Sequence, residues 1–200
     1  MSAMQIAEFK RQLGFPEDCR IVAGIGTISW VKGSDLFVQL AKRLRHIARA
    51  ENIRFVWFGR HGEEEKWQIE YDIMRSGIHD IICFAGERTD MQRLYPAFSV
   101  FTLTSRIDPF PLVMLEAGLA GLPAIGFVGA GGVQEYAQHG GAQLVPYLDL
   151  EAMAQQVVEL VRDEARARAI GAAGRASVKA HFCTEQMAPK IASTLLSLAA

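Results

Sequence analysis

From residue 20 to residue 146 the chain alternates short, continuous apolar runs with longer polar stretches of helical period. The apolar runs fall at residues 20–25, 53–58, 81–84, 99–103, 123–127 and 144–146. They are of strand length and nearly unbroken by polar positions, the pattern of strands buried on both faces of a parallel sheet. Between the first two, Leu36, Phe37, Leu40, Leu44 and Ile47 recur at the 3.6-residue period, with Lys42, Arg43, Arg45 and Arg49 on the wet face and Ser34 and Asp35 as caps. Further helices are expected at residues 63–74, 90–97, after Pro111, and at 133–137. An amphipathic helix at 5–13 precedes this alternation. Beyond Asp149, placed to cap 151–162, the pattern is helical only, at 164 to about 180 and at 184–198. Strands alternating with helices predict an α/β fold: a Rossmann-like parallel sheet of about six strands, helices on both faces and extra C-terminal helices. Ligands of such sheets lie outside the carboxyl ends of the strands. The expected division is a connecting segment at 1–19, a Rossmann-like domain at 20–183 and a terminal helix at 184–200.

Composition narrows the function classes. The 200 residues are 50% apolar and 22% charged, enough for one substantial core. A formal charge of -1 supplies no basic field, which disfavours nucleic acid as a partner. Cys19, Cys83 and Cys183 are odd in number and far apart, and the five histidines have no ligand spacing, so no metal site is expected and the thiols read as reduced. The N-terminus lacks the pattern of a signal peptide, and no apolar stretch approaches membrane-spanning length. The expectation is a cytoplasmic protein.

Three loops at predicted strand ends carry candidate chemistry. The first is Thr104-Ser105-Arg106-Ile107-Asp108-Pro109-Phe110-Pro111-Leu112-Val113-Met114-Leu115-Glu116, in which two carboxylates bracket a Pro-Phe-Pro turn. Pro111 suits the first helical position, and the helix end behind it attracts phosphate. Glu116, about one turn further in, can accept two hydrogen bonds from ribose hydroxyls, while Asp108 is placed for a sugar hydroxyl. The second loop runs from Gly26 to Gly33 and offers Lys32 to a phosphate; a tight turn with a solvated lysine is its other reading. Its Gly24-Ile25-Gly26 lacks the third glycine of a dinucleotide fingerprint, which argues against NAD. The third, Gly129 to Gly132, reads either as amides lining a phosphate pocket or as an ordinary connection. His61, within Gly59-Arg60-His61-Gly62, is the one histidine placed where a ligand is expected. The Asp108 and Glu116 spacing does not suit a glycosidase pair, and no GxSxG elbow appears.

Together these motifs resemble the donor-binding half of retaining GT-B glycosyltransferases of the group 1, or family 4, class. Gly26 to Gly33 is similar to that family's Gly-Arg-Leu-x-x-x-Lys-Gly loop, with Thr27 in place of the Arg. Phe55 to Gly62 and Phe84-Ala85-Gly86 resemble the next two strand ends. Asp108 to Glu116 resembles the acidic-x7-Glu motif, and Gly131-Gly132-x-x-Glu135 the segment after it. The resemblance implies a nucleoside diphosphate sugar as donor and no cofactor or metal. It places Glu116 on the ribose, Asp108 on the donor sugar, and Lys32, Gly26, Thr27, Gly59 and Arg60 about the diphosphate. Phe84, Ala85 and Gly86 lie along the base, and Phe110, Pro111, Leu112 and Val113 line the sugar and diphosphate. Pro111 stands where Gly is usual. The guanidinium absent at Thr27 removes a charge-assisted contact of about 1.5–3 kcal/mol, unless Arg60 or Arg106 substitutes. The resemblance also implies an acceptor-binding N-terminal domain or partner subunit beyond this chain, weak activity of the chain alone, a C-terminal helix with Met187, Ile191, Leu195 and Leu196 incompletely buried, and peripheral membrane association of the full-length enzyme. A non-catalytic nucleotide-sugar module and a sugar-nucleotide epimerase of the same fold remain as alternatives.

Overall fold

The computed structural model describes residues 1–199, with the side chains of Arg49 and Ala199 outside the description. Ala200 and the expected exposure of Arg49 therefore lie outside the described residues. Six strands form a single parallel sheet: β1 (Arg20–Ile25), β2 (Ile53–Phe58), β3 (Ile82–Phe84), β4 (Val100–Leu103), β5 (Ala124–Phe127) and β6 (Ala142–Val145). Their spatial order is β3-β2-β1-β4-β5-β6, the doubly wound arrangement in which the chain reverses direction between β1 and β4. Val22 of β1 registers against Phe55 on one side and Val100 on the other, so β1 is flanked on both sides. Helices α1 (Ala3–Gln12), α2 (Ser34–Ile47), α3 (Glu63–Ser76), α4 (Met91–Leu94), α5 (Leu112–Ala120), α6 (Val133–Gln138), α7 (Leu150–Arg162), α8 (Glu164–Ser177) and α9 (Thr184–Ala199) complete the described chain.

Aromatic packing fixes how α2 sits on the sheet. Phe37 of α2 meets Phe55 and Trp57 of β2 edge-on, at 5.4 and 5.1 Å between ring centroids, and Trp57 stacks on Phe84 at 6.0 Å. Such edge and offset contacts add about 0.5–1.5 kcal/mol each beyond their buried area. Gly24 of β1 lies under this cluster, where a Cβ would overlap the Trp57 ring. That glycine serves packing.

The structure adjusts several expectations. Ser34 and Asp35 do not cap α2. Gly33 is the N-cap, with φ of 68°, while the Ser34 hydroxyl donates to the Ser29 carbonyl and Asp35 pairs with Arg106. Pro111 is the N-cap of α5, one place before the first helical residue. Strand β6 begins two residues earlier than the apolar run, because Ala142 and Gln143 pair with Ala124 and Ile125. The Ala/Arg-rich helix ends at Ser177 and passes into a π-helical turn, Val178–Phe182. On α9, Ile191, Leu195 and Leu196 are exposed and Met187 is half-buried. No helix among the described residues is long and apolar enough to cross a membrane.

Candidate functional site

The loops after β1 and β4 meet at the reversal point of the sheet, and backbone contacts lock them together. The Thr104 hydroxyl donates to the Gly33 carbonyl at 2.9 Å, and the Arg106 N–H donates to Val31 at 2.8 Å. Arg106 then reaches across with both guanidinium arms to Asp35, each at 2.8 Å, and donates to the Trp30 carbonyl at 2.7 Å. Its guanidinium also lies 4.7 Å from the centroid of the Trp30 ring. Arg106 is therefore consumed in holding the loop.

This bracing delivers Lys32 to Asp108, with Nζ 2.7 Å from Oδ2. Asp108 is buried, and the Ser105 hydroxyl approaches the same oxygen at 3.5 Å. The backbone of Asp108 is pinned as well: its N–H donates to Ala130, and its carbonyl accepts from Gly132. Gly131, at φ of 115°, passes so close that a Cβ there would overlap the Asp108 carbonyl oxygen. Thus the third loop supports the first.

Helix α5 opens beside this pair. Pro111 adopts an extended conformation and brings no side-chain cap, and its carbonyl accepts from Met114 at 3.0 Å. The N–H groups of Leu112 and Val113 have no intrahelical partner, as at any helix start. Glu116 lies one turn further in, exposed, and accepts a hydrogen bond from the buried Tyr95 hydroxyl at 2.9 Å. Phe110 packs against Phe182 of the π-helical turn at 5.7 Å, which anchors the loop from its outer side.

The ends of β2 and β3 form the neighbouring wall. The Gly26 N–H donates to Phe58, the Gly59 N–H to Gly86, and the Ala85 N–H to Trp57, so Gly26, Gly59, Phe84, Ala85 and Gly86 are adjacent backbone turns. A Cβ on Gly59 would overlap the Gly26 carbonyl. Gly26, Thr27, Gly59, Arg60, Glu87 and Arg88 line a cleft of about 250 Å³. Arg60 is exposed there and pairs with Glu87 at 2.7 Å, and Arg88 lines the same cleft. A larger cleft of about 530 Å³ lies between α1 and residues 88–94, lined by Met4, Phe9 and Leu94, and Arg88 borders both clefts.

The candidate donor-binding residues thus lie on the loops and helix starts that follow β1 to β4, with His61 exposed beyond Arg60. Two contributors were not legible: Asp35 as the partner of Arg106, and Tyr95 as the partner of Glu116. Each pairing spans a large separation in sequence, 71 residues for the first and 21 for the second, and no local spacing reports it.

Strand order and loop chemistry together define a doubly wound α/β domain with its polar groups at the reversal point. Residues 5–177 match the family of group 1 glycosyl transferases, and the chain belongs to that family. It is 29% identical over 196 residues to the lipopolysaccharide core biosynthesis mannosyltransferase LpsB of Rhizobium meliloti, covering 96% of this chain and 55% of that protein. With a GDP-mannose-dependent alpha-(1-6)-phosphatidylinositol monomannoside mannosyltransferase of Mycobacterium tuberculosis it shares 34% identity over 129 residues, 60% of this chain and 33% of that protein. Among solved structures, Anabaena HepE in complex with UDP and glucose matches with a TM-score of 0.86 at 23% identity, covering 98% of this chain and 53% of the other. Sucrose-phosphate synthase of Thermosynechococcus elongatus matches at 0.80 and 27% identity, over 96% of this chain and 48% of the other. The chain spans about half the length of the relatives it matches most fully.

Proposed function

We propose that this chain is the donor-binding half of a retaining glycosyltransferase that moves a sugar from a nucleoside diphosphate sugar to a hydroxyl acceptor, without a metal. The observation that carries this reading is the meeting of Lys32 and Asp108, 2.7 Å apart, beside the uncapped start of α5 with Glu116 one turn behind. In the free protein Asp108 neutralises Lys32. A donor diphosphate competes for that ammonium and for the Leu112 and Val113 amides, leaving Asp108 to accept from a hydroxyl of the transferred sugar. Glu116 takes the ribose hydroxyls, and Arg60 approaches the diphosphate from the Thr27 side. Phe84, Ala85 and Gly86 border the base. As the sugar leaves, charge grows on the departing diphosphate, and the same preorganised donors stabilise it. Relatives named as mannosyltransferases, one of them GDP-mannose-dependent, and a structural neighbour solved with UDP and glucose support a nucleotide-sugar donor.

The acceptor is assigned to a second domain or partner subunit, placed over this edge, where Phe110 and Trp30 are exposed. Transfer by this chain alone is expected to be very slow, because closure over the donor needs that second half. In the whole enzyme, acceptors of lipid or polysaccharide class would place it at a cytoplasmic membrane surface. Thr27, in place of an arginine, favours a second reading, a non-catalytic nucleotide-sugar module.

Calorimetric titration with UDP-, GDP- and ADP-sugars tests the donor assignment. Wild type should bind at least one of them, and Glu116→Ala should weaken that donor roughly 10- to 100-fold by removing charged hydrogen bonds to the ribose. Absence of binding by all of them contradicts the reading. Adding the second half separately, or expressing the longer protein, then separates an enzyme from a non-catalytic module by the appearance of transferred sugar.

A further inference from the structure

Tyr95 sits in a short 3-10 turn, Tyr95–Ala97, directly beneath α5, where its ring is buried and held edge-on against Phe98 at 6.1 Å. Its hydroxyl has two acceptors in range, the Glu116 carboxylate at 2.9 Å and the Val113 carbonyl at 3.4 Å. The nearer acceptor is charged and takes the proton. Among the described residues this is the one side-chain hydrogen bond that Glu116 makes. A glutamate on an exposed helix face otherwise samples many rotamers, and a ligand that needs one of them must order it. Here a rigid, buried phenol has already ordered it.

We infer that Tyr95 is a positioning residue for the ribose end of the site: it holds one oxygen of Glu116 so that the rest of the carboxylate faces the donor, and it thereby sets how strongly ribose hydroxyls are recognised. The inference rests on the donor reading proposed above and adds to it a residue of no direct ligand contact. Burial and the neighbouring Glu116 charge both push the Tyr95 phenol well above its ordinary pKa, so the hydroxyl stays a donor throughout the neutral range. A phenylalanine at this position keeps the ring and its packing on Phe98 but releases the carboxylate.

The test compares UDP, GDP and ADP with their 2′,3′-dideoxy counterparts on wild type, Tyr95→Phe, Glu116→Ala and the double variant. Wild type should prefer the ribonucleotide. Tyr95→Phe should weaken ribonucleotide binding roughly three- to ten-fold, the worth of one hydrogen bond, while leaving the dideoxy compound within two-fold. In the Glu116→Ala background Tyr95→Phe should then change nothing further, since the two act through one contact. An unchanged ribo-to-dideoxy ratio in Tyr95→Phe, or an equal loss of both nucleotides, overturns the positioning role and leaves the donor site standing. If wild type binds none of the three ribonucleotides, the donor reading and this inference fall together.

Discussion

Helix starts differ sharply between two regions of this molecule. Away from the Lys32–Asp108 pair, α1, α7 and α8 open on residues whose side chains cap them: Ser2 accepts from the Gln5 amide, Asp149 from Ala152 and Asp163 from Arg166. Around the pair, α2, α5 and α6 open on Gly33, Pro111 and Gly132, and none has a side-chain cap. Crowding explains the glycines. A Cβ on Gly33 would overlap the Thr104 carbonyl, and one on Gly132 would come within 2.6 Å of the Pro109 carbonyl, so no capping side chain fits. Backbone carbonyls of Ser29, Pro111 and Gly131 take part of the first-turn demand, through Ser34, Met114 and Gln134. The Leu112 and Val113 N–H groups remain without an intrahelical partner at α5. Helices α3 and α4 likewise open on Gly62 and Asp90 without a side-chain cap, so the helices that follow β1 to β5 forgo the capping energy that α1, α7 and α8 collect.

The sharpest way to break this contrast is Gly33→Ala. It forces a left-handed conformation on a side chain and drives a Cβ into backbone, and we expect a loss of about 3 kcal/mol or more, seen as a fall in Tm of roughly 6–12 °C. Gly86→Ala is the control. Its φ of 72° is also positive, yet a Cβ there meets nothing within 4 Å, so only the backbone cost of about 1 kcal/mol should appear. At the capped end, Asp149→Ala should lower stability by about 1 kcal/mol in urea unfolding and leave nucleoside diphosphate affinity unchanged. The smallest effect is the most diagnostic. Pro111→Ser supplies the missing cap to α5 and should weaken nucleoside diphosphate binding roughly three-fold, because the new hydroxyl competes for the same amides, with little net change in stability since a proline is lost. An equal response of Asp149→Ala and Pro111→Ser in the binding assay would erase the distinction between the two regions.

Much of this was legible in the amino acids. Runs such as Arg20–Ile25 and Ile53–Phe58 declare buried parallel strands because both faces are apolar, and Asp149 declares a cap because it stands just before a periodic helix. Lys32, Asp108 and Glu116 were readable as candidates since their loops follow strands at the edge where ligands gather. Other features were not. Asp35 looks like an N-terminal cap by position, and tertiary structure gives it to Arg106 instead. Arg106 looks like a free cation and is locked into the loop. Tyr95 falls within the helix expected at 90–97, and only the fold reveals that its hydroxyl meets Glu116. Local patterns report backbone demands, whereas the Asp35–Arg106 pairing arises from β1 and β4 lying side by side and the Tyr95–Glu116 pairing from α5 packing against the turn that precedes β4.

We propose that a nucleoside diphosphate sugar occupies the carboxyl ends of β1 to β4. Hydrogen–deuterium exchange of the wild-type chain, with and without saturating GDP or UDP, tests it most directly. Slowed exchange is expected at residues 26–33, 59–60, 84–86 and 105–116, with α7, α8 and the α1 side of the 530 Å³ cleft unaffected. Protection confined to the cleft beside α1, with none at 105–116, would contradict it.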